Sequence, residues 1–340
     1  MASIAVVTSS PPNAEGGHLV IARELVKAAA AAGHDAHMVV TPDHGFGRTA
    51  ATYWDNWRAA PGTVDQVISL RYPSYAVRHP RHVCWLNHTM REYYDLWPQF
   101  SAAISPANRV KERIRRACIR RVDRALLGRV SKVIAQSHTI AGRLQREWNM
   151  RVEVVWPPAP ERAYRCDGYG DYLFAVSRLV PLKRVDLLVR ALADPAARPV
   201  RLVVAGEGEE RGSLEALAVS VGVADRVQFL GRIDESTLVA HFAACRAVCF
   251  VPFQEDYGFV TAEAFASAKG VVTTRDSGGP AEMVRDRETG LVTAPEPRAL
   301  AAALGQLYRD PDLAQRLGDA AYRRGSALRW CETLDRLLIV

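Results

Sequence analysis

Apolar residues fall in short continuous runs rather than in strict alternation. SIAVVTS (3 to 9), DAHMVV (35 to 40), DQVISL (65 to 70), HVCWLN (82 to 87), KVIAQS (132 to 137) and VEVVW (152 to 156) have the pattern of strands buried on both faces. Between most of them lie helix-like stretches such as HLVIARELVKAAAAA (18 to 32) and HTIAGRLQREW (138 to 148). Strand and helix in alternation predict a parallel sheet covered on both sides. The proline cluster WPPAPERAY (156 to 164) interrupts this series and reads as a linker. A second series follows: YLFAVSRL (172 to 179), VRLVVAG (200 to 206), RVQFLG (226 to 231), RAVCFVPF (246 to 253), GVVTTRD (270 to 276) and GLVTA (290 to 294).

The fold expected is α/β, with two doubly wound Rossmann-like domains facing across a cleft. Their boundaries are read as 1–157 for an N-terminal domain and 158–320 for a C-terminal one, with a helical segment 321–340 packing back onto the first. A length of 340 residues agrees with two cores rather than one. In such sheets ligands sit beyond the carboxyl ends of the strands. Gly16 and Gly17, His88, Arg178, Gly206, Gly231, Glu255 and the Gly278–Gly279 pair all fall there.

Composition adds little, with 49% hydrophobic and 24% charged residues, as in ordinary globular proteins. The N-terminus lacks a basic region ahead of its apolar run and reads as a first strand, so a cytoplasmic location is expected. The six cysteines have no C-x-x-C spacing and read as reduced structural thiols. The net charge of +7 is more informative, because ten Lys or Arg lie between Arg109 and Lys132 against only Glu112 and Asp123. Val110, Ile114, Ala117, Cys118, Ile119, Val122, Ala125, Leu126 and Leu127 recur there at spacings of three and four. The segment 109–132 therefore predicts an amphipathic helix with a basic outer face. Solvent, an anionic membrane surface and nucleic acid are all open as its partner, and the lack of an aromatic residue weighs against the last.

The chemistry concentrates in PFQEDYGFVTAEAFASAKG (252 to 270). Gly258 ends a strand region and opens a helix whose free N–H groups favour an anion such as a phosphate. Glu263 stands inside an apolar run and needs a hydrogen-bonding partner. The vicinal hydroxyls of a ribose would suit it, as would an arginine from elsewhere in the fold. In AVSRLVPLKRVDLLVRAL (175 to 192), Arg178 leaves a strand and Lys183 opens a helix, two cations suited to a diphosphate. D-P-D at 310 to 312 reads as a helix cap rather than a metal motif. G-E-G at 206 to 208 completes no dinucleotide fingerprint.

Together these motifs resemble the family 4 retaining glycosyltransferases, also called group 1, of GT-B architecture. The resemblance rests on S-R-L-V-P-L-K (177 to 183), V-V-A-G-E-G (203 to 208), F-L-G (229 to 231), glutamates at 255 and 263, S-G-G-P-A-E (277 to 282) and E-T-G-L-V (288 to 292). It is looser in the first half, through Gly16-Gly17, Q-S (136 to 137) and V-V-W-P-P (154 to 158). Ala268-Lys269-Gly270 departs from the family's small-residue turn ending in Gly-x-Pro.

The resemblance implies that Arg178 and Lys183 bind a donor diphosphate, Glu263 its ribose and Glu255 the hydroxyls of the transferred sugar. The amides of Tyr257, Gly258 and Phe259 would lie by sugar and phosphate, with Gly16, Gly17, Gly206 and Gly231 in the donor site. His88 would sit beside the sugar from the acceptor domain. Catalytic roles are expected for Glu255, His88, Arg178 and Lys183. The implied function is metal-independent, cofactor-free transfer of a sugar from a nucleoside diphosphate sugar to a hydroxyl of a cell-surface polysaccharide, glycolipid or natural product. The alternatives are a nucleotide-sugar 2-epimerase and an inactive glycosyltransferase-like subunit that binds a partner. No nucleic acid is expected, and the basic helix points to the inner face of a membrane.

Overall fold

The structure is a computed structural model that describes residues 1–12 and 16–339. The chain divides into two compact units, Met1–Pro157 with Arg329–Val340, and Pro158–Leu328.

The first unit contains β1 Ser3–Ser10, β2 Asp35–Pro42, β3 Gln66–Ser69, β4 His82–Leu86, β5 Lys132–Ala135 and β6 Glu153–Val154. They form one parallel sheet in the order β2-β1-β3-β4-β5-β6. Val6 sits opposite Met38 on one side and Ile68 on the other, and Ile4 to Val7 are fully buried. That double burial is why these strands lack alternation. Because β2 and β3 flank β1 on opposite sides, the loops leaving β1 and β3 diverge, which opens a crevice at the strand ends. The helix Trp330–Leu337 completes this unit. The Gln66 side-chain amide donates to the Leu337 carbonyl at 2.7 Å and accepts from the Ile339 N–H at 2.9 Å. Trp330 meets Trp85 edge-on, with ring centroids 6.3 Å apart.

The second unit contains β7 Leu173–Val176, β8 Leu202–Ala205, β9 Val227–Gly231, β10 Ala247–Cys249, β11 Val271–Thr274 and β12 Gly290–Thr293. Their order is β12-β11-β10-β7-β8-β9, again all parallel. The direction of winding reverses between β7 and β10. The core packs Leu188, Leu192, Val204, Leu300, Leu304 and Leu317 on the sheet. Every strand expected from the apolar runs is present.

The basic segment departs from its expected form. The helix spans Pro106–Leu127, capped by the Ser105 side chain, so Arg129 and Lys132 lie beyond it and Lys132 opens β5. Its buried face also departs in part from the amphipathic reading, although Ile119 and Leu127 are buried and Lys111, Arg113, Arg121 and Arg124 exposed as expected. Val110, Ile114 and Val122 are exposed, by 60%, 63% and 40%, while Glu112 and Asp123 are buried. The cause is a polar network stronger than the apolar pattern. Asp123 accepts hydrogen bonds from the hydroxyls of Tyr53, Tyr75 and Tyr94, and Glu112 from Tyr93 and Arg115. Satisfied acids can go inward, and the helix turns to bring them there.

Candidate functional site

In the second unit the expected residues gather at the ends of β7 and β10, the two strands where the winding reverses. After β7 the chain passes Arg178, which is exposed, and makes a short 3₁₀ turn, Pro181–Lys183. The helix Val185–Leu192 begins only after it, so Lys183 closes the turn before the helix rather than opening the helix. Its ammonium lies 2.7 Å from a Glu255 carboxylate oxygen and 5.4 Å from the centroid of the Phe250 ring. Two residues expected to touch different parts of one ligand thus neutralise each other here.

The loop after β10 is fixed by backbone contacts with the loop after β11. Glu255 N–H donates to Ser277 O at 3.0 Å, and Gly279 N–H donates to Glu255 O at 2.9 Å. A Cβ on Gly278 would lie 2.3 Å from the Glu255 carbonyl oxygen, and one on Gly279 would lie 2.5 Å from that of Tyr257. Only glycines allow the two loops to approach this closely. Gly258, at φ +83°, precedes the helix Phe259–Ala266, which has no side-chain cap. The first N–H groups of that helix are therefore left to a ligand or solvent.

Glu263 has partners that the sequence did not reveal. It is 6% exposed, and its Oε1 accepts from Arg162 Nη1 and, at 3.1 Å, from the Tyr164 hydroxyl. Burial pushes its carboxyl up from the ordinary range, and Arg162 and Tyr164 pull it back. The partner is thus supplied by the protein, from a segment that reads in the sequence as a linker. Tyr257, 3% exposed, stacks edge-on against Phe259. Gly206, at φ +126°, has a built Cβ only 1.8 Å from Ser177 O, and Gly231 sits at φ +73°.

Arg184 and Asp276 carried no sequence signal. Arg184, at φ +49°, donates to the carbonyls of Val251 and Pro252, to Thr274 Oγ1 and to both Asp276 oxygens, all at 2.8 Å. It braces the loops that carry Glu255 and Gly278.

The first unit holds the remaining expected residues. Gly16, in extended backbone, precedes the helix Gly17–Ala31, which likewise has no side-chain cap. A His88 ring nitrogen lies 2.8 Å from Thr89 O, and the His88 carbonyl accepts from Tyr72 N–H at 3.0 Å. His18 and Arg71 lie at the same strand ends. Arg71 donates to Asp43 at 3.1 Å and lies 3.5 Å from the His18 ring. Burial, then the charge of Arg71, pushes the His18 imidazole down to about 3. The acidic string at 310 to 312 is a helix cap, with Asp310 accepting from Leu313 N–H at 2.8 Å.

Both sheets are those of doubly wound α/β proteins, with the gathered residues where such proteins hold ligands. Within that class, residues 164–324 match the family model described as glycosyl transferases group 1. This stretch is thus similar to the group 1 glycosyl transferases, in line with its motifs. A curated relative, D-inositol 3-phosphate glycosyltransferase of Thermomonospora curvata, is 36% identical over 181 residues, 49% of this chain and 42% of the relative. The chain spans about half the length of the curated relatives it matches; in the one from Salinispora tropica the share is 52%. Sucrose-phosphate synthase of Thermosynechococcus elongatus shares the fold with a TM-score of 0.77 at 21% identity, over 98% of this chain and 96% of that one. Anabaena HepE in complex with UDP-glucose does so with a TM-score of 0.72 at 18% identity, over 98% of each. The fold expected from the resemblance, GT-B, is the fold observed.

Proposed function

We propose that the protein is a retaining glycosyltransferase that moves a sugar from a nucleoside diphosphate sugar to an acceptor hydroxyl without a metal ion. The observation that carries this reading is the set of groups beside the bare start of the helix Phe259–Ala266. There Lys183 and Glu255 form an ion pair 2.7 Å long, and Arg178 is exposed on the loop after β7. A bound donor would split the pair, with Lys183 and Arg178 turning to the diphosphate and Glu255 to the sugar hydroxyls. The ribose would donate to Glu263, which Arg162 and Tyr164 hold in place. In the step itself the bond from the sugar C1 to the phosphate oxygen breaks while the bond from C1 to the acceptor oxygen forms on the same face. The departing phosphate oxygen takes the acceptor's proton, so no separate protein base is needed.

The acceptor side is proposed to lie in the first unit, with His88 beside the transferred sugar. Its exposed helix face, Val110, Ile114 and Val122 among Lys111, Arg113, Arg121 and Arg124, suits the interface of an anionic membrane. Among the described residues no helix is long and apolar enough to cross a membrane. The relatives named for inositol 3-phosphate and the structure holding UDP-glucose support a nucleotide-sugar donor with a hydroxyl acceptor.

The test is a thermal-shift panel of UDP, GDP, ADP, dTDP and CDP, with and without EDTA, on wild type and Glu263→Gln. A ligand at 100 times its Kd stabilises by roughly 2.7 kcal/mol. One diphosphate is expected to raise the Tm of wild type, to resist EDTA and to lose most of its effect in Glu263→Gln. Silence from all five would overturn the reading.

A further inference from the structure

A second cluster in the same unit, independent of the transferase reading, surrounds Lys269. This lysine is fully buried, and among the described residues no carboxylate pairs with it. Its ammonium donates to the Gly168 carbonyl, lies 3.3 Å from Cys166 Sγ and stands 4.2 Å above the Tyr169 ring. The Tyr169 hydroxyl in turn donates to Ala268 O at 2.9 Å, and Ala268 holds the left-handed φ of +52° that glycine adopts most readily. Lys269 thus anchors the segment that begins the second unit. Its charge, however, has only neutral partners.

A buried ammonium without an acid strongly favours any neighbour that can become an anion. The Tyr169 hydroxyl donates to Ala268 O, and Cys245, which also feels the Lys269 charge, is buried, so the accessible sulfur beside the ammonium is that of Cys166. That residue is exposed, so a small reagent can reach it. We propose that Cys166 is a hydroperoxide-sensitive modification site whose oxidised sulfur Lys269 holds as an anion. The thiol proton goes to water, and the thiolate attacks one peroxide oxygen. An S–O bond forms as the O–O bond breaks, and the leaving hydroxide is protonated to water. Sulfur loses two electrons, the peroxide gains them, and the product is a sulfenic acid whose sulfenate form faces the lysine.

The chain supplies its own controls in Cys118 and Cys331, which are also exposed. Cys118 has arginines on its own helix, but none of them is buried, so water screens them, whereas the lysine beside Cys166 is fully buried. The experiment treats the reduced, folded protein with limiting hydrogen peroxide, traps sulfenic acid with dimedone and follows each cysteine peptide by mass spectrometry. Cys166 is expected to be labelled at least about tenfold faster than Cys118 or Cys331, and the three rates are expected to converge in guanidinium chloride. Lys269→Met should bring Cys166 down to the rate of the other two, while Lys269→Arg should retain most of the difference. If Lys269→Met does not fold, the comparison within the wild-type chain still decides. Equal rates in the folded protein, or Cys118 as the fastest, would overturn the proposal.

Discussion

The two units build the same kind of sheet end by different means. In the second, the loops after β10 and β11 meet backbone to backbone, through Gly278, Gly279 and the amide of Glu255, and Arg184 ties their carbonyls together. In the first, the corresponding region depends on side chains that arrive from far apart: Tyr53, Tyr75 and Tyr94 close on Asp123, and Arg71 joins Asp43. A backbone-built end tolerates almost no change at its glycines but leaves the nearby side chains free to turn towards a ligand. A network of side chains tolerates changes of shape, provided each buried polar atom keeps a partner.

The sharpest way to break this comparison is Gly206→Ala. The added methyl would sit 1.8 Å from Ser177 O at φ +126°, so a loss of more than about 4 kcal/mol is expected, confined to the second unit. Urea unfolding followed by proteolysis of each unit would show whether the damage is local. Next is Lys183→Ala. Under the proposed function it lowers turnover by roughly 10²- to 10³-fold and, by leaving Glu255 without its partner, lowers stability by only about 1 kcal/mol, as initial rates and melting curves would show.

In the first unit, Asp123→Ala leaves three buried tyrosine hydroxyls without their acceptor and should cost about 3 kcal/mol. Asp123→Asn, which still offers an acceptor oxygen and a donor amide, should cost less than half as much. A similar cost for both in urea titrations would mean that shape rather than hydrogen bonding holds the helix.

The same residue predicts a pH dependence. Burial pushes the Asp123 carboxyl up to about 6, outweighing its three hydrogen bonds, against 3.8 for the free side chain. The folded state therefore keeps its proton to higher pH than the unfolded one. The stabilisation is complete below pH 3.8 and is lost as pH rises through 6, a difference on the order of 2 to 3 kcal/mol. The difference in urea midpoint between wild type and Asp123→Asn should follow that curve; a flat difference would show that the carboxylate ionises as in water. The smallest effect is expected at Gly33, where φ is +82° but nothing lies within 4 Å of a built Cβ. Gly33→Ala should cost only about 1 kcal/mol, which separates backbone strain from the steric clash at Gly206.

This contrast also explains what could be read from the sequence. Parallel strands buried on both faces must be continuous apolar runs, so all of β1 to β12 were visible. Loops that require glycine at fixed offsets left short motifs, which exposed Lys183, Glu255 and Gly258 and made the second half the clearer one. The Asp123 network left no such trace, because Tyr53 and Asp123 are 70 residues apart and nothing in their spacing links them. Periodicity alone placed Val110 and Ile114 inward, and the acids displaced them. Arg162 and Tyr164 were hidden in a proline-rich stretch whose neighbours suggested a linker, and only the fold brings them to Glu263.

The helix Trp330–Leu337 has a consequence for how the protein is made. Gln66, fully buried in the first sheet, takes its partners from Leu337 and Ile339, and 271 residues separate it from the first of these. On the ribosome the entire second unit emerges before those partners do. The first-born sheet must therefore wait, with the Gln66 amide and the face of Trp85 uncovered, while the later-born unit already has all its strands. A chain released early, or one in which the helix Trp330–Leu337 is kept from docking, would present that unfinished surface to chaperones and proteases even though its second unit had folded normally.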